Sequence, residues 1–270
     1  MALRSVTAQY LVWSQADQVA HAAAQLFTDS VIAAVKVRGV ARVAISGGST
    51  PKRMFALLAT EQFRSQVPWQ QLFLYWVDER CVAPDDADSN YRMTREAMLD
   101  KVPLPVEQVF RMEGELDPEA AANRYETVLR NTMRLEGAEL PTFDLVLLGM
   151  GDDGHTASLF PETQALNELG RLVVANHVQQ KDTWRITLTW PVINQGREVA
   201  FLIEGAAKTD VLAEVLTGPR DPERLPSQLI RPASGQLKLL LDEAAAAKLP
   251  AASFTTPDGT GKLGELELPR

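Results

Sequence analysis

The chain reads as an α/β protein: a mostly parallel, Rossmann-like sheet with helices on both faces. Three observations carry that reading. Short apolar, β-branched runs recur at residues 40–46, 72–77, 143–148, 172–175, 185–190 and 199–203. Stretches with apolar residues at helical spacing lie between them, at 51–59, 120–135 and 210–216. An Ala-rich helix at 17–37 precedes the first inner run. Alternation of this kind argues for βαβ units, because neighbouring parallel strands need a long crossover and a helix supplies it. The pattern extends over residues 1–250 as one domain, with no linker long enough to divide it. Residues 217–235, rich in Pro, Arg and Gly, are expected to form a surface loop. Residues 251–270 have little periodicity and are expected to be a poorly ordered tail.

Composition narrows the functional classes. The net charge is −8, from 27 basic and 35 acidic residues, and no Lys/Arg block stands out. Nucleic acid is therefore not an expected partner. No apolar run approaches the length of a membrane span, and the first residues lack an apolar core of signal-peptide length. A single cysteine, Cys81, excludes an intrachain disulfide and fits a reducing compartment. The expectation is a cytoplasmic protein that binds no membrane. An acidic chain that takes an anionic metabolite needs a few placed cations and backbone N–H groups, which directs the search.

The most informative stretch is FDLVLLGMGDDGHTASLFP, residues 143–161. An apolar run stops abruptly at a Gly-rich turn carrying Asp152, Asp153 and one of the chain's three histidines, His155. In open α/β sheets, ligands gather outside the carboxyl ends of the strands. The turn thus delivers an imidazole, a side chain suited to proton transfer near neutral pH, to the place where chemistry is done. A solvated surface His is the bland alternative, and the glycines and acidic neighbours weigh against it.

Three further features point to an anion. Ile45-Ser46-Gly47-Gly48-Ser49-Thr50-Pro51 follows one run and opens a helix, so Gly47, Gly48, Ser49 and Thr50 offer N–H and hydroxyl donors where phosphate binds well. Pro51 is placed at the first helical position, where its missing N–H costs nothing. The loop lacks the Gly-Lys-Ser/Thr ending of a Walker A motif, and Pro51 replaces the second glycine of a nucleophile elbow. A plain helix cap is the competing reading. Val77-Asp78-Glu79-Arg80 ends another run, so Arg80 can meet phosphate or a developing oxyanion and Asp78 can orient a base or a hydroxyl; a surface ion pair is equally compatible. Ser89, Asn90 and Tyr91 in the following loop can add polar contacts. Lys208, just past residues 199–203, and Arg185, opening the run RITLTW, are cations near strand ends. Which of Arg80, Arg185 and Lys208 meets the phosphate stays open.

Gly149-Met150-Gly151-Asp152-Asp153-Gly154 formally matches a dinucleotide fingerprint. Two carboxylates in that turn repel a pyrophosphate, and no acidic strand end follows about 20 residues on, so nicotinamide binding is set aside. His21, His177 and Cys81 have no metal-ligand spacing, and no metal is expected.

Taken in order, SGGSTP, VDER, SNYRM, FDLVLLGMGDDGHTASLFP, RITLTWPVIN and GAAK resemble the 6-phosphogluconolactonase family, over about residues 10–245. The resemblance implies a sugar-phosphate isomerase-like fold related to glucosamine-6-phosphate deaminase. It implies hydrolysis of 6-phospho-D-glucono-1,5-lactone, a small-molecule partner, with no metal and no organic cofactor. It implies His155 as general base with Asp153 beside it. Gly47, Gly48, Ser49, Thr50 and Lys208 then match sugar-phosphate contacts, and Arg80 and Arg185 substrate-facing cations. Two rivals remain: the deaminase/isomerase and a non-catalytic sugar-phosphate-binding protein. The deaminase family carries an acidic residue a few positions after the His, where this chain has Phe160. An Asp153–His155 pair has no evident use in a mere binder.

Overall fold

The computed structural model describes residues 6–233 and 235–269. In chain order its elements are β1 (Thr7–Trp13), α1 (Ala16–Arg38), β2 (Ala41–Ile45), α2 (Ser49–Leu58), α3 (Glu61–Arg64), β3 (Leu72–Trp76), β4 (Asp78–Arg80), α4 (Asn90–Ala97), β5 (Val109–Phe110) and α5 (Pro118–Met133). There follow β6 (Leu145–Leu148), β7 (Val173–Val178), β8 (Thr183–Leu188), α6 (Trp190–Ile193), β9 (Glu198–Ile203), α7 (Thr209–Thr217), β10 (Gln236–Asp242), β11 (Phe254–Thr255) and β12 (Lys262–Glu267).

The main sheet runs β11-β12-β1-β10-β9-β6-β2-β3-β5. From β1 to β5 every pairing is parallel. All four residues of β6 are buried, as expected of a central parallel strand covered on both faces. Helix α1 packs through Val19, Ala23, Phe27, Val31 and Ala34, spaced three and four apart on one stripe. It ends at Gly39, whose φ of 77° is left-handed and whose N–H returns to the Val35 carbonyl. The mostly parallel α/β fold read from the pattern is what these strands form.

Two of the anticipated runs sit elsewhere. Residues 172–175 and 185–190 belong to a separate three-stranded antiparallel sheet, β4-β8-β7, and not to the parallel one. The physical reason is chain length. Only a short turn, closed by Asp182 at φ 44°, joins β7 to β8, far too little for a parallel crossover. Trp190 has already entered α6.

The expected loop at 217–235 is a surface loop only in part. Pro226, Ser227, Gln228, Leu229 and Ile230 are buried. Ser227 donates both its N–H and its hydroxyl to the Gly154 carbonyl, at 2.9 and 2.8 Å. The segment therefore supports the turn that carries His155.

The expectation of a poorly ordered tail at 251–270 is corrected as well. β12 pairs antiparallel with β1 along six residues and β11 pairs with β12, so 250 is no boundary of the sheet. Gly264 makes the pairing possible: a Cβ there would lie 2.1 Å from Tyr10 Cζ. Lys262, Glu265 and Glu267 give the outer strands the charge that guards sheet edges. Among the described residues, no helix is long and apolar enough to cross a membrane.

Candidate active site

From β2 the chain steps to β3 and β5 on one side, whereas β6, β9 and β10 extend the sheet on the other. The direction reverses between β2 and β6, and a crevice opens there at the carboxyl ends. Its volume is about 330 Å³. Segments that follow β2, β3, β6 and β9 all reach it. Gly47, Gly48, Ser49, Thr50, Asp78, Arg80, His155, Arg185 and Lys208 line it together; Asp153 stands behind the imidazole.

The loop after β2 is shaped by its glycines. Gly48 has φ 118°, ψ 171°, a region reserved for glycine, and caps α2 without a side-chain acceptor. The helix begins at Ser49, so Pro51 is its third residue and not its first. Pro51 still falls in the first turn, where its N–H would be unpaired in any case. The first amides of α2 consequently remain free of side-chain caps at the crevice. Gly47 presses against Asn90, and a Cβ would fall 1.8 Å from Asn90 Oδ1.

β4 divides its work by alternation. Asp78 and Arg80 turn to the crevice, and Glu79 turns inward with 2% exposure. Asp78 lines the site, yet one of its oxygens accepts the Ser158 hydroxyl at 2.7 Å, so it also ties β4 to the segment after His155. Glu79 is the organiser that the sequence reading missed. Its two oxygens accept the N–H groups of Arg80, Asn90 and Tyr91, each at 2.8 Å, and the Ser89 hydroxyl at 3.2 Å. Burial pushes its carboxyl above the usual range, against the pull of those backbone donors.

Arg80 and Arg185 are register partners across β4 and β8. Arg185 Nε is buried without a hydrogen-bond partner. Burial, then the neighbouring Arg80 charge, lowers its proton affinity. Two guanidinium groups side by side in one crevice make a place where an anion relieves repulsion.

The turn after β6 fixes the imidazole. His155 Nδ1 lies 2.5 Å from Asp153 Oδ1, and the His155 N–H donates to the same oxygen at 3.1 Å. The Gly151 N–H closes the turn on the His155 carbonyl at 2.9 Å. Phe160 stacks on the ring at 4.0 Å between centroids and 20° between planes. Partial burial acts to raise the Asp153 carboxyl, but the hydrogen bond and charge of His155 prevail and hold it at about 2. The carboxylate is thus ionised at any working pH. It engages Nδ1–H and leaves Nε2 as the basic nitrogen.

Gly151 is the tightest point of this turn: a Cβ there would lie 2.0 Å from His155 Nδ1 and 2.6 Å from Asp153 Oδ1. Gly151→Ala is expected to push the ring aside and lower kcat by about 10–10²-fold, with KM within about twofold. Steady-state kinetics on the folded variant checks this.

Lys208 closes the crevice from the loop after β9. Asp242, at the end of β10, accepts the Gly205 N–H on both oxygens at 3.0 and 2.9 Å and so holds that loop. The Lys208 ammonium pairs with Asp152. Lys181, at the tip of the β7–β8 hairpin, also lines the crevice, with Nζ 5.5 Å from the centre of the Phe160 ring. Nothing in its sequence neighbourhood marks it, because only the antiparallel hairpin brings it there.

The fold and site define a class, and comparison with known proteins names it. The family model described as glucosamine-6-phosphate isomerases/6-phosphogluconolactonase matches residues 14–239. The chain belongs to this family. It is 41% identical over 223 residues to 6-phosphogluconolactonase of Synechocystis, covering 82% of this chain and 90% of that protein. With 6-phosphogluconolactonase of Haemophilus influenzae it shares 35% over 205 residues, 75% and 85% of the two chains. Among solved structures, 6-phosphogluconolactonase from Trypanosoma cruzi superposes with a TM-score of 0.80 at 29% identity, covering 93% of this chain and 99% of that one. A monomeric glucosamine-6-phosphate deaminase shares the fold at 19% identity and a TM-score of 0.73, covering 88% and 98%.

Proposed function

We propose that the protein hydrolyses 6-phospho-D-glucono-1,5-lactone to 6-phospho-D-gluconate, the lactone-opening step of the oxidative pentose phosphate pathway, by a water that His155 activates. One observation carries the reading: an Asp153–His155 pair opens on the same crevice as an uncapped helix N-terminus and four cations, Arg80, Lys181, Arg185 and Lys208. In the reaction, Nε2 takes a proton from water as the water oxygen bonds to the lactone carbonyl carbon. The carbonyl electrons form an oxyanion. When they return, the bond to the ring oxygen breaks, and the imidazolium gives its proton to that oxygen. Asp153 stabilises the imidazolium and holds the tautomer. Arg80, Arg185, Lys208 and the amides of residues 47–50 are the groups available to the phosphate and the oxyanion. A lactone is an activated ester, so general acid–base help of about 10²–10⁴-fold suffices.

Phe160 argues against the amino-sugar rival. Its ring lies flat on His155, and an apolar ring cannot carry the proton that ring opening and isomerisation require. The deciding assay follows lactone consumption at low pH, where spontaneous hydrolysis is slow, beside ammonia release from glucosamine 6-phosphate. Rapid lactone loss without ammonia is expected; the reverse overturns the reading. Lys208→Ala is expected to raise KM about tenfold or more with little change in kcat, because it removes a charge-assisted contact present in ground and transition state alike. An unaltered KM refutes its phosphate role. A sugar-phosphate substrate and the single Cys81 accord with a cytoplasmic site of action.

A further inference from the structure

The two adjacent carboxylates of the β6 turn serve different partners. Asp153 holds the imidazole, whereas Asp152 pairs with the ammonium of Lys208. Lys208 lines the substrate crevice, and Asp152 does not; it lies on the outer side of the turn, where its side chain is 75% exposed. The Lys208 side chain is only 21% exposed. A cation that belongs to the crevice is therefore held by an anion outside it. The backbone carrying Lys208 is fixed by the two bonds from Gly205 to Asp242, so the part left to move is the flexible four-carbon stem. An ion pair whose carboxylate stands in solvent is cheap to break, and a phosphate dianion within the crevice is a stronger partner.

We propose that Asp152 is a resident counter-ion that competes with the substrate's phosphate for Lys208, and so sets how tightly phosphorylated substrate and product are held. This rests on the lactonase reading and on Lys208 as a phosphate contact. Every phosphorylated ligand must displace Asp152 to gain the ammonium, and Asp152 reclaims it when product leaves. Binding is thereby weakened for phosphorylated ligands alone. A neutral lactone, which has no use for Lys208, is indifferent to the exchange. Asp152 acts through Lys208 and not on the reacting atoms, so it is a positioning residue.

The test is steady-state kinetics of the full chain with the phosphorylated lactone, with unphosphorylated glucono-1,5-lactone, and with 6-phosphogluconate as inhibitor. Asp152→Asn is expected to lower KM for the phosphorylated lactone and the inhibition constant of 6-phosphogluconate about three- to fivefold, with kcat within about twofold. KM for the unphosphorylated lactone stays unchanged, and Asp152→Glu restores wild-type values. The gain shrinks at high salt, because exposed charges are screened. In a Lys208→Met background, Asp152→Asn has no further effect, which is the signature of a pair acting as one unit. An unchanged or raised KM for the phosphorylated lactone overturns the proposal. So does an equal shift with the unphosphorylated lactone, or a full Asp152→Asn effect without Lys208. If the wild-type protein fails to open the phosphorylated lactone at all, the functional reading itself falls, a result separate from any of these.

Discussion

His155→Asn lowers kcat for lactone hydrolysis by about 10²–10⁴-fold and leaves KM within about twofold. The magnitude is that of general acid–base catalysis, since the substitution removes the basic nitrogen and little else. Asparagine keeps an amide near the Asp153 carboxylate, in the place of the ring nitrogen that pairs with it. The donors proposed for the phosphate, on the loop after β2 and on Arg80, Arg185 and Lys208, are untouched. A loss confined to kcat is therefore the expected split. The measurement is a coupled assay with freshly generated lactone, corrected for its spontaneous opening. A variant that keeps most of its kcat removes His155 from the reaction.

Glu79→Ala has the largest expected effect on stability, a loss of about 3 kcal/mol or more. Three N–H groups and a hydroxyl lose their acceptor in a region where Glu79, Ser89 and Asn90 are each 2% exposed. Each buried donor left unpaired costs about 1–3 kcal/mol. At about 2–4 °C per kcal/mol for a chain near this size, the melting temperature falls by roughly 6–12 °C. Activity suffers too, because Asn90, which packs against Gly47, keeps its amide bond to the Asp78 carbonyl but loses the backbone bond to Glu79. Glu79→Gln, which keeps one acceptor oxygen, loses less. Its pH dependence adds a second readout. Burial raises the Glu79 carboxyl above its unfolded value of 4.5, so the folded state holds this proton longer. That contribution to stability is full below 4.5 and is lost as pH rises through the folded value. Glu79→Gln lacks it, so the variant's deficit narrows with rising pH over that window. Thermal melts of both proteins from about pH 4 upward would expose a deficit that stays constant, which is the contrary result.

What the sequence reveals and what it conceals follow from chemistry. The run before Gly149 is legible because apolar residues end sharply at glycines and charges, and the structure puts β6 and the His155 turn there. The outer strand β12 is not, because KLGELE is half charged and its pairing into the sheet is with a strand more than 240 residues away. Glu79 hides between two residues that look functional, although the period-two rule for strands places it on the opposite face from Asp78 and Arg80. Ser227 sits in a segment whose Pro, Gly and Arg content reads as loop, and no local signal reports that its hydroxyl reaches Gly154. Lys181 reaches the crevice through an antiparallel hairpin, which alternation of strands and helices does not signal.

The bond from Ser227 to Gly154 has a kinetic corollary. The proposed base is residue 155, yet the carbonyl just before it is anchored by a group 73 positions further along. The turn around residue 155 is therefore complete only once the segment at Ser227 has docked, so local formation of β6 and its glycines does not by itself finish the site. Return of turnover on refolding then reports docking of that distant segment as well as formation of the β6 turn.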